Sequence, residues 1–312
     1  MGHDTPNRSI PSSPITAPAT IGFGILSHRD PPQLLRLVDR LSRLYPGAPI
    51  AIHHDEDQCP LSEGTRASLA RFARLVTPHC RTRWGRWSLV DATIRALAPL
   101  LDSPNPPAWI TLLSASDYPI KPAATVLSEL ASWNADAFIE ARPVSTTGPC
   151  EAHTRTLRKR YLRQTIWLGD AIPALARTRI SIPAAIGRRI GPFCSRGKGL
   201  TLHWGPQWFT CTSRVAEAIV DSPRTHPRLW RWMRHTHIPD EAFIHTLIMN
   251  NSGFSVIPSN RRFIRWRDAD AKSPETLTLA DLNAIVTSDA HFARKFNAED
   301  PVLDQLDRLL GL

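Results

Sequence analysis

The sequence lacks the cysteine pattern of a disulfide framework or a zinc site. Its five cysteines, at 59, 80, 150, 194 and 211, are odd in number and scattered, with no C-x-x-C pair. That usage fits a reducing compartment. No apolar run approaches the roughly 20 residues that span a bilayer, and no internal repeat or heptad pattern is present. Residues 1–19, rich in Ser, Pro and Thr and without an apolar signal core, read as a disordered leader. Acidic residues are also short, 28 against 38 Lys and Arg, for a net charge of +10. The deficit is local, because residues 148–200 carry eleven Lys or Arg and two acids, and the rest is near neutral. Such a segment attracts nucleic acid, anionic headgroups or a phosphorylated substrate, unless it is simply a solvated insertion.

What is present is a core. Hydrophobic residues make up 42% of the 312 positions, with ten tryptophans, enough for one large α/β domain. The first half alternates strand and helix. Thr20–Ser27, Ala48–His53, Trp109–Leu113 and Ala137–Glu140 read as strands. Pro31–Leu44, Ser62–Leu75, Ser88–Leu101 (with Ser88 as N-cap) and Lys121–Trp133 read as helices. This alternation predicts a mainly parallel sheet with helices on both faces, whose ligands bind at the C-terminal strand ends. Asp55, Asp117 and Glu140 fall there. The basic stretch from about 148 to 200 reads as irregular. Beyond it the pattern predicts a strand over Gln207–Thr212 and helices at Arg214–Asp221, Arg228–Arg234, Asp240–Met249 and Leu279–Thr287. A strand pair is predicted at Phe254–Ile257 and Arg262–Trp266.

Four clusters carry possible chemistry. Ile52-His53-His54-Asp55 closes a strand, and its carboxylate suits a nucleoside; with Glu56 and Asp57 it also mimics a D-x-D cation clamp, or forms an ordinary acidic turn. In Ser114-Ala115-Ser116-Asp117-Tyr118-Pro119-Ile120-Lys121 a strand ends in a carboxylate, which could equally cap a helix. Pro239-Asp240-Glu241-Ala242-Phe243 places two acids at a helix start, where the dipole alone favours them. Phe292-Ala293-Arg294-Lys295-Phe296-Asn297 sets two cations between phenylalanines, either facing a pocket or forming a surface loop.

Their order is more specific than any one of them. The order runs through Trp84-Gly85-x-Trp87-Ser88-Leu89, Lys198-Gly199-Leu200 and Gly205-x-Gln207-Trp208-Phe209. Over roughly residues 20–298 it resembles the Core-2/I-branching N-acetylglucosaminyltransferase and O-xylosyltransferase family, glycosyltransferase family 14. The resemblance implies a GT-A-like sugar-nucleotide fold as one domain over 20–298, with 148–200 as a basic insertion on the acceptor side and a C-terminal helix over 299–312. It implies inverting transfer of N-acetylglucosamine, xylose or a related sugar from a UDP-sugar to a saccharide or glycolipid acceptor, without a metal or other cofactor. Glu241 matches the family base. Asp55 matches the nucleoside contact, Asp117 the carboxylate near the donor sugar, and Lys295, beside Arg294, the diphosphate cation. Lys272 aligns with a second cation through Asp281-Leu282-Asn283, replacing an arginine. Glu140 and Trp208 fall on the acceptor side. Pro206 departs from the pattern, standing where relatives have a small hydroxyl residue. Animal relatives carry a membrane anchor and secretory disulfides. Their absence here points to a bacterial-type, cytoplasmic member, with its basic segment available to an anionic membrane. Nucleic acid is not expected as a partner, because no recognition motif accompanies the charge. A non-catalytic sugar-binding relative is the nearer alternative.

Overall fold

The computed structural model describes residues 20–29, 31–103, 105–145, 151–168, 178–183, 193, 199–268, 271 and 273–312. The first half runs β1 (Ile21–Ser27), α1 (Pro31–Leu44), β2 (Ile50–His54), α2 (Glu63–Ala70), β3 (Arg74–Leu75), α3 (Ser88–Leu101), β4 (Trp109–Ser114), β5 (Asp117–Pro119), α4 (Ala123–Ser132), β6 (Ala137–Ile139) and β7 (Arg142–Pro143). Then come α5 (Ala152–Tyr161), β8 (Arg163–Trp167), β9 (Arg179–Pro183), β10 (His203–Trp204), β11 (Phe209–Thr212), α6 (Ser213–Val220), α7 (Ser222–Thr225), α8 (Pro227–Met233) and α9 (Phe243–Met249). The chain closes with β12 (Val256–Ile257), β13 (Arg262–Ile264), α10 (Leu282–Thr287), β14 (Phe292–Arg294) and α11 (Pro301–Leu310).

A seven-stranded sheet in the order β12-β6-β11-β4-β1-β2-β3 forms the centre. It is mainly parallel, as the alternation of elements predicts; β11 alone runs antiparallel to both its neighbours. The period-two pleat of the strands sorts their side chains onto two faces. Phe23, Ile25, Trp109 and Leu113 face α1 and α4, meeting Leu34, Leu37, Val126 and Leu130. Ile110 and Leu112 face the other way, toward Val90 and Leu97 of α3, Val215 of α6 and Phe243 of α9. Each such buried side chain contributes about 1.5–3 kcal/mol. Because β11 is reversed, its first residue lies at the edge where the other strands end. Trp208, just before β11, is therefore brought to the edge where β4 and β6 end, beside Glu140 and the turn after β4.

A three-stranded sheet, β13-β14-β5, sits at this edge. Its antiparallel β14–β5 register sets Arg294 opposite Asp117. Behind it, α11 packs Val302, Leu303 and Leu306 against Tyr118 and Phe296. Asp307 of α11 accepts from the Tyr118 hydroxyl at 2.5 Å, from Arg36 at 2.8 Å and from Arg40 at 2.9 Å. No helix among the described residues is long and apolar enough to cross a membrane.

Several expectations are corrected. The helix predicted over Ser62–Leu75 stops at Ala70, and Arg74–Leu75 instead extends the sheet edge beside β2. Ser88 is not the cap of α3 but its first residue, and its hydroxyl accepts the Arg83 N–H at 2.9 Å. The segments at 256–257 and 262–264 do not pair with each other; β12 joins β6 and β13 joins β14. The predicted helix over Asp240–Met249 is broken: a 3₁₀ turn covers Pro239–Glu241, Ala242 leaves helical geometry at φ −142°, and α9 then begins. The described part of the basic segment is not irregular but contains α5 and the β8–β9 hairpin.

Candidate active site

Asp55 follows β2, and its side chain is fully enclosed. One carboxylate oxygen accepts from the Thr82 N–H, the Thr82 hydroxyl and the Gln58 amide, each at 2.6 Å. Burial pushes its carboxyl up, but the hydrogen bonds from Thr82 and Gln58 outweigh burial and hold it below the ordinary value. Its other oxygen is buried without a partner among the described residues. Ligand atoms of Asp55, Asp57 and His79 lie within 4.8 Å of one another, the one such grouping among the described residues that could hold a cation.

Asp117 is also fully buried. It accepts from the Ser114 hydroxyl at 2.8 Å, the Ser114 N–H at 3.1 Å and Arg294 Nε at 2.9 Å. A second, entirely buried guanidinium, that of Arg262, lies 3.8 Å away. Burial pushes Arg262 down to about 10, with Asp117 opposing. Its remaining N–H groups donate to the Leu112 carbonyl at 3.0 Å and the Asn260 carbonyl at 3.1 Å. Arg262 was not anticipated from sequence, because Arg261-Arg262 reads as a solvated pair. The one signal was its place in a short strand, where Arg262 alternates with Phe263.

Arg294 does more than pair with Asp117. Its guanidinium lies over the Trp208 ring, 4.3 Å from the centroid, a cation–π contact that fixes the plane of the cation. The Lys295 ammonium donates to the Ser273 hydroxyl at 3.1 Å. Burial, then Arg29 and Arg294, push Lys295 below its ordinary value, so three cations share this corner. Lys272 lies outside the described residues.

Glu241 stands at the end of the 3₁₀ turn, its side chain 35% exposed. Arg160 of α5 lies 3.5 Å from its carboxylate. Burial pushes Glu241 above its ordinary value, and Arg160 opposes the shift. The neighbouring Asp240 is buried, and burial together with the Glu241 charge raises it to about 7. Arg160 was hidden within the basic run, where nothing distinguishes it from its neighbours.

Two short segments tie these groups together. Gly205 donates its N–H to the Glu241 carbonyl at 2.9 Å, and three residues later Trp208 supports Arg294. A Cβ at Gly205 would lie 1.8 Å from the Glu140 carbonyl oxygen, so only glycine passes between Glu140 and Glu241. The second segment is the loop before α3: Thr82 holds Asp55, and the Gly85 carbonyl accepts the Ile238 N–H at 3.0 Å. Gly85 has φ +74°, the left-handed region open to glycine, and a Cβ there would meet His237 at 3.0 Å. The Glu140 carboxylate itself pairs with Arg142 at 2.6 Å. The structure thus brings Asp117, Arg294, Trp208, Glu140 and Glu241 into one chain of contacts, with Asp55 joined through the loop.

A mainly parallel sheet with helices on both faces, and functional groups gathered at its C-terminal edge, defines a GT-A-like α/β protein. The Core-2/I-branching enzyme family model matches residues 21–286, and the chain belongs to that family. Over 232 residues, 70% of this chain, it is 41% identical to the β-glucuronosyltransferase GlcAT14B of Arabidopsis thaliana, covering 48% of that protein. To the xylosyltransferase oxt of Drosophila melanogaster it is 27% identical over 299 residues, 87% of this chain and 31% of that protein. Over 69 residues, 22% of this chain, it is 42% identical to the A. thaliana β-glucuronosyltransferase GlcAT14A, covering 15% of it. The chain therefore spans less than half the length of these relatives.

Proposed function

We propose that this chain is an inverting glycosyltransferase that moves a sugar from a UDP-sugar to a saccharide hydroxyl, with Glu241 as base and no metal. The observation that supports it best is the contact path from the half-buried Glu241, through Gly205 and Trp208, to the cationic corner of Arg29, Arg294 and Lys295. In this reading Glu241 takes the acceptor proton while the acceptor oxygen bonds to the anomeric carbon. The bond from that carbon to the diphosphate breaks on the opposite face, and its electron pair leaves with the diphosphate. Arg294 and Lys295, with Lys272 as a further cation, meet the charge that develops there. Asp55 receives the nucleoside. Asp117, sealed from solvent, serves the donor by holding Arg294. Trp208 is buried beneath that guanidinium and positions it, leaving Glu140 toward the acceptor. The donor sugar is N-acetylglucosamine, xylose or, by likeness to the plant relatives, glucuronic acid. A cytoplasmic location with contact to an anionic membrane belongs to the same proposal, carried by the charge of residues 148–200.

Thermal melting with UDP and UDP-sugars tests the donor side, because a ligand that binds the native state raises its melting point. Stabilisation that persists in EDTA, together with turnover that EDTA leaves intact, is the expected result. Activity abolished by EDTA and restored by manganese would sink the metal-free mechanism and move attention to Asp55, Asp57 and His79.

Arg160 provides a pH test. Its charge favours the Glu241 carboxylate, and a base must be deprotonated to act. Removing the charge raises the Glu241 pKa further, so Arg160→Gln should shift the acid limb of the kcat/KM profile to higher pH and leave the alkaline limb in place. An unmoved acid limb would disconnect Glu241 from that titration.

A further inference from the structure

The β8–β9 hairpin is a two-stranded ribbon whose antiparallel register sets Gln164 opposite Ile182, Ile166 opposite Ile180 and Trp167 opposite Arg179. Alternation along each strand gives the ribbon two faces. One face is held to the body of the protein through β8. Thr165 is buried there, and its N–H donates to the His235 carbonyl at 2.5 Å. On the same face Trp167 lies under Arg86 and Arg179, whose guanidiniums are 4.5 and 5.8 Å from its ring centroid, and 5.8 Å from His237. The other face carries Ile166 and Ile180, 49% and 48% exposed, with Leu168 and Ile182 half-buried on either side. None of these four side chains belongs to the three hydrophobic cores of the described residues. A ribbon whose outer face met only water would carry polar residues on that face. In this one the outer face is the aliphatic one.

The charge around this face narrows what can cover it. Residues 148–200 hold eleven of the 38 Lys and Arg and two of the 28 acids, so nine of the chain's ten net positive charges fall in this segment. The balance subtracts every acid in the chain and does not depend on which cations are paired. Within the hairpin, residues 163–183 hold Arg163, Arg177 and Arg179 against Asp170 alone. In α5, which leads into it, Arg155 and Lys159 are exposed. An exposed aliphatic face within a basic segment matches a bilayer surface with anionic headgroups: the aliphatic side chains enter the acyl boundary and the cations meet the phosphates. A second copy of the chain fits less well, because it would bring the same positive segment against itself. The ribbon is also tied to the site, since Trp167 lies near His237, shortly before the turn that carries Glu241.

We propose that the outer face of the β8–β9 hairpin docks the protein on a bilayer bearing anionic phospholipid, with Ile166 and Ile180 entering the boundary between headgroups and acyl chains. The inference rests on the membrane contact included in the proposed function and gives that contact a place on the molecule. Cosedimentation of the full chain is measured with vesicles of phosphatidylcholine alone and with vesicles containing about one-third phosphatidylglycerol. The mixed vesicles should bind it about tenfold or more tightly, with a preference that weakens as salt is added. Ile166→Thr/Ile180→Thr leaves the charge and the β-branching of both positions unchanged, so the ribbon should persist. This double variant should bind the mixed vesicles about tenfold more weakly, while its UDP affinity stays within about threefold. In the unaltered chain, amide deuterium uptake over residues 163–168 and 178–183 should fall on the mixed vesicles and stay unchanged over α1. Equal binding to both kinds of vesicle, a double variant that binds as the parent does, or unchanged exchange in the hairpin overturns the proposal. A concentration-dependent dimer that the double variant abolishes also overturns it, giving the face to a second copy. Vesicle binding through the hairpin by a chain that binds no UDP would support docking and remove the transferase reading. UDP binding and turnover without vesicle binding would overturn docking alone.

Discussion

Glu241→Gln should lower kcat by on the order of 10²–10⁴-fold, the usual contribution of a positioned general base, while UDP affinity stays within about threefold. The amide keeps the size of the side chain but carries no charge and cannot take the acceptor proton at neutral pH. The turn that holds it should survive, because the Gly205 N–H bonds the Glu241 carbonyl rather than its carboxylate. Steady-state kinetics together with UDP titration check this, and full turnover in the variant would remove Glu241 from the base role. Asp240 is the control. Burial and the Glu241 charge hold its folded-state pKa near 7, so the native state binds its proton more tightly than the unfolded chain does. Its contribution to stability is present below about pH 4 and is lost as pH rises toward 7. Asp240→Asn should therefore stabilise the protein at pH 8 and much less at pH 5, measured by thermal melting.

Asp117→Ala should cost about 3–5 kcal/mol, the penalty for leaving one member of a buried ion pair uncompensated. At a few degrees per kcal/mol this is a fall in Tm of roughly 10 °C. The reason lies in Arg262, whose side chain is wholly buried beside a wholly buried Asp117. Removing the carboxylate strands that guanidinium and frees Arg294 from its 2.9 Å contact. Asp117→Leu combined with Arg262→Met removes both charges together and should recover much of the stability, since apolar replacements of buried pairs are often tolerated. The double variant should still lack turnover, because Arg294 then has no carboxylate to aim it. A single variant that melts like the parent would show that solvent reaches this pair.

How far the site was legible depended on whether a residue's neighbours in sequence are also its partners in space. Asp55 and Asp117 stood out because each closes an apolar strand, and a strand end in a parallel sheet is a predictable place. Arg294 and Lys295 stood out through flanking phenylalanines that anchor a strand. Arg160 and Arg262 were invisible, one inside a run of like charges and the other in a doublet that reads as solvated. Their roles come from partners 81 and 145 positions away, Glu241 and Asp117. The two bridging glycines were readable only as members of motifs. The reasons for them, a carbonyl oxygen 1.8 Å from an imagined Cβ at Gly205 and a positive φ at Gly85, exist only in the folded chain.

The periodicity of apolar residues along this chain was enough to set the alternation of strands and helices and the edge where its chemistry gathers, because burial of a pleated face or a helical stripe is a local pattern repeated. Four separated motifs in order were enough to indicate the family. Folding settled what local pattern cannot encode. It reversed β11, so that Trp208 meets Arg294; sealed Asp117 between two arginines; and brought Trp167 of β8 beneath Arg86 of the loop before α3. Each of these is a long-range contact between segments whose charges look solvated in isolation, and their partners are set by the three-dimensional path of the chain.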